Sequence, residues 1–418
     1  MPLSVRLDSS PARQLPVHEP TPAPKAPRQV SDKNASLPKK VKNRLKLFSV
    51  RLGMDMTFLF LVILLVIIGL IMMFSASYPA ALEYTNSSYT YLMRQGLFAV
   101  IGITIMILVS YFDYHHFHKL AFPLLVLSMI LLVVVLFMPA KNDVHRWIPL
   151  GMFDIQASEI SKFAIILFLA HWGSIHFRKM DTFKYGVLPA ILIFVPTALL
   201  LMKEPHYSGI VIILTLIAIM LFISGVKLRY FVIAGATVGV GVIALAVTGK
   251  LTYAMERLAG WGQALTYVNK DLWDKTYQTR NSLYAIGSGG LWGQGLGQSR
   301  QKYLYIPEAQ NDFVFAVVCE ELGFVGAMII LCVFALLVWR GITVSMRAKD
   351  KFGSLLGIGL SAQIGIQVVF NIMVITDWLP NTGISLPFFS YGGSSLIMLL
   401  AQMGIVLSIS RTSNLEKA

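Results

Sequence analysis

TFLFLVILLVIIGLIMMFSAS, residues 57–77, holds no charged side chain along its whole length. Coiled as a helix at ~1.5 Å per residue, it spans the ~30 Å hydrocarbon core of a bilayer. Nine further apolar runs follow, at about 97–112, 120–139, 160–175, 186–202, 209–224, 230–247, 313–338, 353–375 and 386–410. Several fall short of the ~20 residues a crossing needs, so flanking residues must complete them. Pro123, Pro189 and Pro196 lie inside runs, where neighbouring helices can satisfy the carbonyls they free. The whole chain is 56% apolar and 13% charged, against about 45–50% and about 25% in soluble domains. Such a chain cannot cover a globule with polar surface. The expected fold class is an all-α polytopic membrane protein with ten transmembrane helices.

The flanks set the domain boundaries and the orientation. Residues 1–51 carry a Pro-rich stretch from Pro20 to Pro27, then Lys39, Lys40, Lys42, Arg44 and Lys46. That composition cannot build a core, so a disordered basic tail is expected there. It holds no apolar core of the kind a cleaved signal peptide needs, so the first span is expected to be an uncleaved anchor. The ten-helix domain is expected over 52–411, with a short tail at 412–418. Basic residues concentrate in the tail and the even-numbered loops, for example Arg178, Lys179, Lys184, Lys227, Arg229, Arg340, Arg347, Lys349, Lys351 and Arg411. The positive-inside rule therefore puts both termini in the cytoplasm, and an even number of crossings agrees. The net charge of +14 is expected from those cytoplasmic loops rather than from nucleic-acid binding; the basic tail is a topology signal or, alternatively, a contact for anionic headgroups. Cys319 and Cys332 show no metal or disulfide spacing.

Three odd-numbered segments then face outward: Ala140 to Glu159, residues 249–312, and 376–390. The second is the large extracytoplasmic loop between helices 7 and 8, and a long structured loop in a compact protein is usually functional. Its glycines, Gly289 and Gly290 among them, permit positive φ and can form anion-binding nests, or they simply make turns. Lys302 supplies a cation and Glu308 an acid. Asp312 stands at the mouth of an apolar helix, where it is either a helix cap or a reactive carboxylate. Glu320 and Glu321 lie deeper in the same run, as functional groups or as partners of buried cations. The first outer segment adds Arg146, Trp147, Glu159 and Lys162. Glu159 and Lys162 share a helix face and can pair; Arg146 and Lys162 can instead hold a phosphate headgroup. The last segment, around Ser394, is rich in proline and glycine, which implies irregular backbone beside a polar cavity.

Residues 277–324, YQTRNSLYAIGSGGLWGQGLGQSRQKYLYIPEAQNDFVFAVVCEELGF, and 379–395, LPNTGISLPFFSYGGSS, resemble the hallmark segments of the SEDS family (shape, elongation, division and sporulation). The resemblance covers the ten-helix region and leans toward the FtsW and SpoVE branch rather than RodA. It implies a peptidoglycan glycosyltransferase that polymerises lipid II on the outer face of the bacterial cytoplasmic membrane during septal wall synthesis. It also implies a class B penicillin-binding protein as partner, among other divisome membrane proteins. The family's essential aspartate maps to Asp312, its conserved lysine to Lys162 and its Arg-Trp pair to Arg146 and Trp147. The usual Glu-Pro-Asp element reads Glu204-Pro205-His206 here, so no role of that aspartate carries over.

The chemistry of the implied reaction fits these residues. A sugar hydroxyl must lose a proton while a lipid pyrophosphate departs, which calls for a carboxylate base and for cations. Asp312 is the expected base. Lys162, Arg146 and Lys302 are the expected pyrophosphate clamp, with Trp147, Glu159, Glu308, Gly289, Gly290 and Ser394 as further substrate contacts. A divalent cation such as Mg or Mn can share the clamp, though no ligand cluster demands one. A lipid II flippase and a non-catalytic scaffold are the alternatives. Intramembrane acids and broken helices suit transport too, whereas a scaffold needs no carboxylate at a helix mouth.

Overall fold

The computed structural model describes residues 53–139, 146–149, 154–247, 260–267 and 270–413. The expected tail at 1–51 and the end of the chain from 414 lie outside the described residues.

Helices dominate. In chain order they are α1 (Met56–Thr85), α2 (Thr90–Tyr111), α3 (His115–Val135), α4 (Ala157–Ile175), α5 (Leu188–Lys203), α6 (Tyr207–Ile223) and α7 (Leu228–Val247), then α8 (Lys270–Lys275), α9 (Tyr277–Gly289), α10 (Val314–Met346), α11 (Lys351–Ile375) and α12 (Gly393–Ser413). Each apolar run overlaps one of α1–α7 or α10–α12, though the last, 386–410, starts seven residues before α12. Among the described residues, seven stretches are long and apolar enough to cross a membrane: α1, α2, α3, Phe183–Lys203, α10, α11 and α12. The helix α4 is less apolar because it is central: it is buried continuously from Ser161 to Ala170 and packs on α3, α6 and α11. A helix shielded from lipid by its neighbours can carry Ser161 and Lys162 where a lipid-facing one could not.

Small residues let the helices approach. α12 packs along α2, and a Cβ added at Gly404 would come within 2.6 Å of the Met106 carbonyl oxygen. This close contact replaces the hydrophobic drive that lipid removes. Polar caps set the ends. Asp55 accepts a hydrogen bond from the Phe58 amide at 2.8 Å and pairs with Arg340 at 2.7 Å, joining the start of α1 to the end of α10. Asp350 caps α11 through the Gly353 amide.

The helix α10 is broken at Gly323, whose φ of 68° and ψ of −173° are not helical. The glycine run closes the break. The amides of Gln294 and Gly295 donate to the carbonyls of Glu320 and Glu321, and the amides of Phe324 and Val325 donate to the carbonyls of Gly290 and Leu291. Backbones meet so closely that a Cβ at Gly293 would lie 2.2 Å from the Glu321 carbonyl oxygen. Only glycine fits there, and these four bonds return partners to the carbonyls of Glu320 and Glu321 and the amides of Phe324 and Val325.

Candidate active site

The odd-numbered connections converge on one end of the bundle. Between them lies a cavity of about 1060 Å³, larger than most small-molecule pockets. Its walls come from the start of α2, the Trp147–Pro149/Asp154–Gln156 hairpin, residues 260–279, residues 308–312 and residues 377–395. Of the residues singled out from sequence, Arg146, Trp147, Glu308, Asp312 and Ser394 line this space.

Asp312 is held by its backbone. Its carbonyl accepts from the Asn371 side chain at 2.7 Å. The first residue flanking α10 is Phe313, and no side chain caps that helix. The carboxylate is therefore not spent on capping, and among the described residues no hydrogen bond to it is seen. It faces the backbone of Gly383, where an added Cβ would sit 2.9 Å from Oδ2. Burial pushes its pKa up to about 6; Arg146 opposes the rise and Glu308 adds to it. A carboxylate poised near neutrality and facing a cavity has the profile of a general base.

Arg146 donates from Nη2 to the Pro205 carbonyl at 2.5 Å and from Nε to the Glu204 carbonyl at 3.5 Å. The guanidinium is thus fixed across the turn between α5 and α6. Glu204 and His206, the residues of the altered element, are buried around it. Burial raises the Glu204 carboxyl to about 8. Burial, then the charges of Arg146 and Lys162, lower the His206 imidazole to about 3. Both shifts favour the neutral form of the group beside Arg146. His206 reaches the cavity wall.

The other expected site residues lie elsewhere. Lys162 is buried and pairs with Glu159 at 2.7 Å, so the plain ion-pair alternative describes both. Glu159 edges a small pocket that shares Ser385 and Ser395 with the main cavity, which places the pair beneath the cavity rather than in its wall. Lys302 is a correction. Its ammonium is buried against Glu321 Oε1 at 2.9 Å, Ser75 Oγ at 3.0 Å and the Gly297 carbonyl at 2.7 Å, so its three donors are already engaged. Gly289 and Gly290 are a second correction. A Cβ on Gly289 would meet the Cys319 carbonyl oxygen at 2.0 Å, and the Gly290 carbonyl accepts from Phe324. They serve packing on α10 and not an anion nest at the cavity. Glu320 likewise binds Ser299 Oγ and the amides of Arg300 and Gln301.

Sequence reading missed Arg94 and Lys275, two exposed cations in the cavity wall. Arg94 was visible only as a charge flanking the first outer loop. Lys275 ends a short helix inside the long loop and carries no motif. Among the described residues no three of His, Cys, Asp and Glu gather where a metal ion could be held.

A profile of the FtsW/RodA/SpoVE family, described as cell cycle protein, matches residues 55–415. Stage V sporulation protein E of Bacillus subtilis (strain 168) is 40% identical over 86% of this chain and 97% of that protein. A probable peptidoglycan glycosyltransferase FtsW of Geobacter sp. (strain M18) is 35% identical over 86% of this chain and 97% of its own length. Among solved structures, a chain from a peptidoglycan synthase complex that coordinates polymerization and crosslinking superposes with a TM-score of 0.68 at 26% identity, over 87% of this chain and 99% of that one. The rod shape determining protein RodA of Thermus thermophilus superposes with a TM-score of 0.63 at 27% identity, over 87% of this chain and 98% of that one. This multi-pass membrane chain belongs to the FtsW/RodA/SpoVE family.

Proposed function

We propose that the chain is a peptidoglycan glycosyltransferase that polymerises lipid II, with Asp312 as its general base. The observation that carries the reading is the uncapped carboxylate of Asp312, half-buried and turned toward the cavity. In the reaction the acceptor sugar's 4-hydroxyl gives its proton to Asp312 as its oxygen bonds to the anomeric carbon of a second lipid II. The bond from that carbon to the undecaprenyl pyrophosphate breaks, with inversion, and the pyrophosphate leaves with the electron pair. Arg146 sits close enough to influence Asp312 and would stabilise the departing charge. Arg94 and Lys275 extend the positive wall. Lys162, beneath the cavity and paired with Glu159, sets the field under Arg146 and His206. Trp147, Glu308 and Ser394 are the remaining candidate substrate contacts. A divalent cation, if bound, would add charge stabilisation for the leaving pyrophosphate, and among the described residues no cluster of three His, Cys, Asp or Glu would hold it.

The finer architecture belongs to the same proposal. Ten crossings over 52–411 place both termini in the cytoplasm and the cavity outside, at the septum in a dividing cell. The partner is a class B penicillin-binding protein, as the likeness to a synthase-complex chain supports. The rival transport reading requires access from both ends, and the described walls of this cavity lie at one end of the bundle. Purified protein given lipid II in detergent tests the proposal. Wild type should form glycan, and Asp312→Asn should lose about 10²–10⁴-fold in rate with an unchanged melting temperature. A well-folded Asp312→Asn enzyme at near-normal rate would remove the base assignment.

A further inference from the structure

We infer that Asn371 is a positioning residue for the polymerisation: its carboxamide clamps the backbone of Asp312 to the Thr382–Ile384 strip and so fixes where the reactive carboxylate points. The inference rests on the reading of Asp312 as the base. Asn371 lies one turn before the end of α11 and is 0% exposed. Nδ2 donates to the Asp312 carbonyl at 2.7 Å and to the Ile384 carbonyl at 2.6 Å. An amide nitrogen carries two protons, and each has one acceptor here. The assignment of nitrogen and oxygen is fixed chemically, because both neighbours are carbonyls and neither could donate to an oxygen. Oδ1 finds no partner, so the side chain's polar role lies in these two bonds.

The clamp acts on both sides of the carboxylate. One bond sets the backbone that carries Asp312. The other holds the strip whose Gly383, at φ 65°, lies against Oδ2. The strip therefore covers the Oδ2 side of the carboxylate whose proton affinity matters. A misplacement of about 1 Å in such a group can cost 10²-fold in rate. The charges acting on Asp312 are those of Arg146 and Glu308. Arg146 is bonded to the 204–205 carbonyls and Glu308 to Asn311, so a neutral substitution at 371 leaves them in place.

The test measures kcat, KM and the acid limb of the pH–rate profile with lipid II for Asn371→Leu, Asn371→Ser and Gly383→Ala. Asn371→Leu loses both donors and should lower kcat about 10–100-fold with KM little changed. Its acid limb should move from about 6 toward the ordinary carboxylate value near 4, because water reaches the freed carboxylate. Asn371→Ser keeps one donor and should fall between. Gly383→Ala pushes a methyl at Oδ2 and should also lower kcat. A lower melting temperature with wild-type kcat and acid limb in any folded Asn371 variant overturns the inference and leaves a structural role. If neither Asn371 variant folds, wild-type kcat and acid limb in Gly383→Ala overturn it instead. Asp312→Asn is run beside them. Its inactivity with normal Asn371 variants rejects the clamp alone, whereas its full activity rejects the base reading.

Discussion

Replacing Lys302 with methionine should destabilise the protein by about 3 kcal/mol and leave its KM for lipid II unchanged. The side chains of Lys302 and Glu321 are 3% and 0% exposed. Removing one member of a buried pair strands the other charge, which costs about 3–5 kcal/mol. Glu321 would keep Ser75 Oγ at 2.7 Å and the amides of Gly297 at 2.9 Å and Ser299 at 3.3 Å. Those surviving donors place the loss at the lower end of the range. Melting curves in detergent give the stability, and glycan synthesis at varied lipid II gives KM. The double variant Lys302→Met/Glu321→Gln should be less destabilised than the two single losses added, by about 0.5–3 kcal/mol, because the two groups are in contact. A Lys302→Met protein with wild-type melting temperature and a raised KM would refute the reasoning and return Lys302 to the pyrophosphate.

Two further outcomes follow from the cavity. The polymerisation rate should rise with pH through about 6, because the base works ionised and its pKa is raised. Glu308→Gln should move that limb to lower pH and Arg146→Ala to higher pH, since the first charge disfavours the carboxylate and the second favours it; an immobile limb in both would show that another group titrates. For topology, Gln298 is exposed in the long loop. A cysteine placed there, with Cys319 and Cys332 replaced, should react with an impermeant maleimide in intact spheroplasts; labelling only after lysis would invert the proposed orientation.

Much of this was legible in the sequence. The spans were readable because lipid demands unbroken apolar length, and charges can hide only where other helices cover them. Asp312 stood out because a carboxylate at the mouth of an apolar helix has few explanations, and the structure adds that its side chain does not cap α10. The assignments of Lys302, Gly289 and Gly290 failed for one reason. Their partners, Glu321, Cys319 and Phe324, lie in α10 beyond Asp312, and no local spacing reports that a loop folds back onto a break in the next helix. Arg94 and Lys275 were missed because a cavity wall is assembled from distant segments.

The break in α10 is one of several places where buried polar groups on the helices hold an outer stretch. Three of the described outer stretches are tied to buried polar side chains on helices. Glu320 and Glu321 hold the 294–302 stretch. Asn371 holds residues 312 and 384. Gln95, 1% exposed, donates to the Ser390 carbonyl and accepts from the Gly392 amide. A loop fixed only by its own turns would drift, whereas a bond in a dry environment is strong and costly to leave unmade. The cavity's irregular walls thus take their rigidity from the helices beneath them. Intramembrane polarity in this fold divides accordingly: Glu320, Glu321, Gln95 and Asn371 point at backbone and hold shape, while Asp312, with no hydrogen-bond partner for its carboxylate among the described residues, faces the cavity.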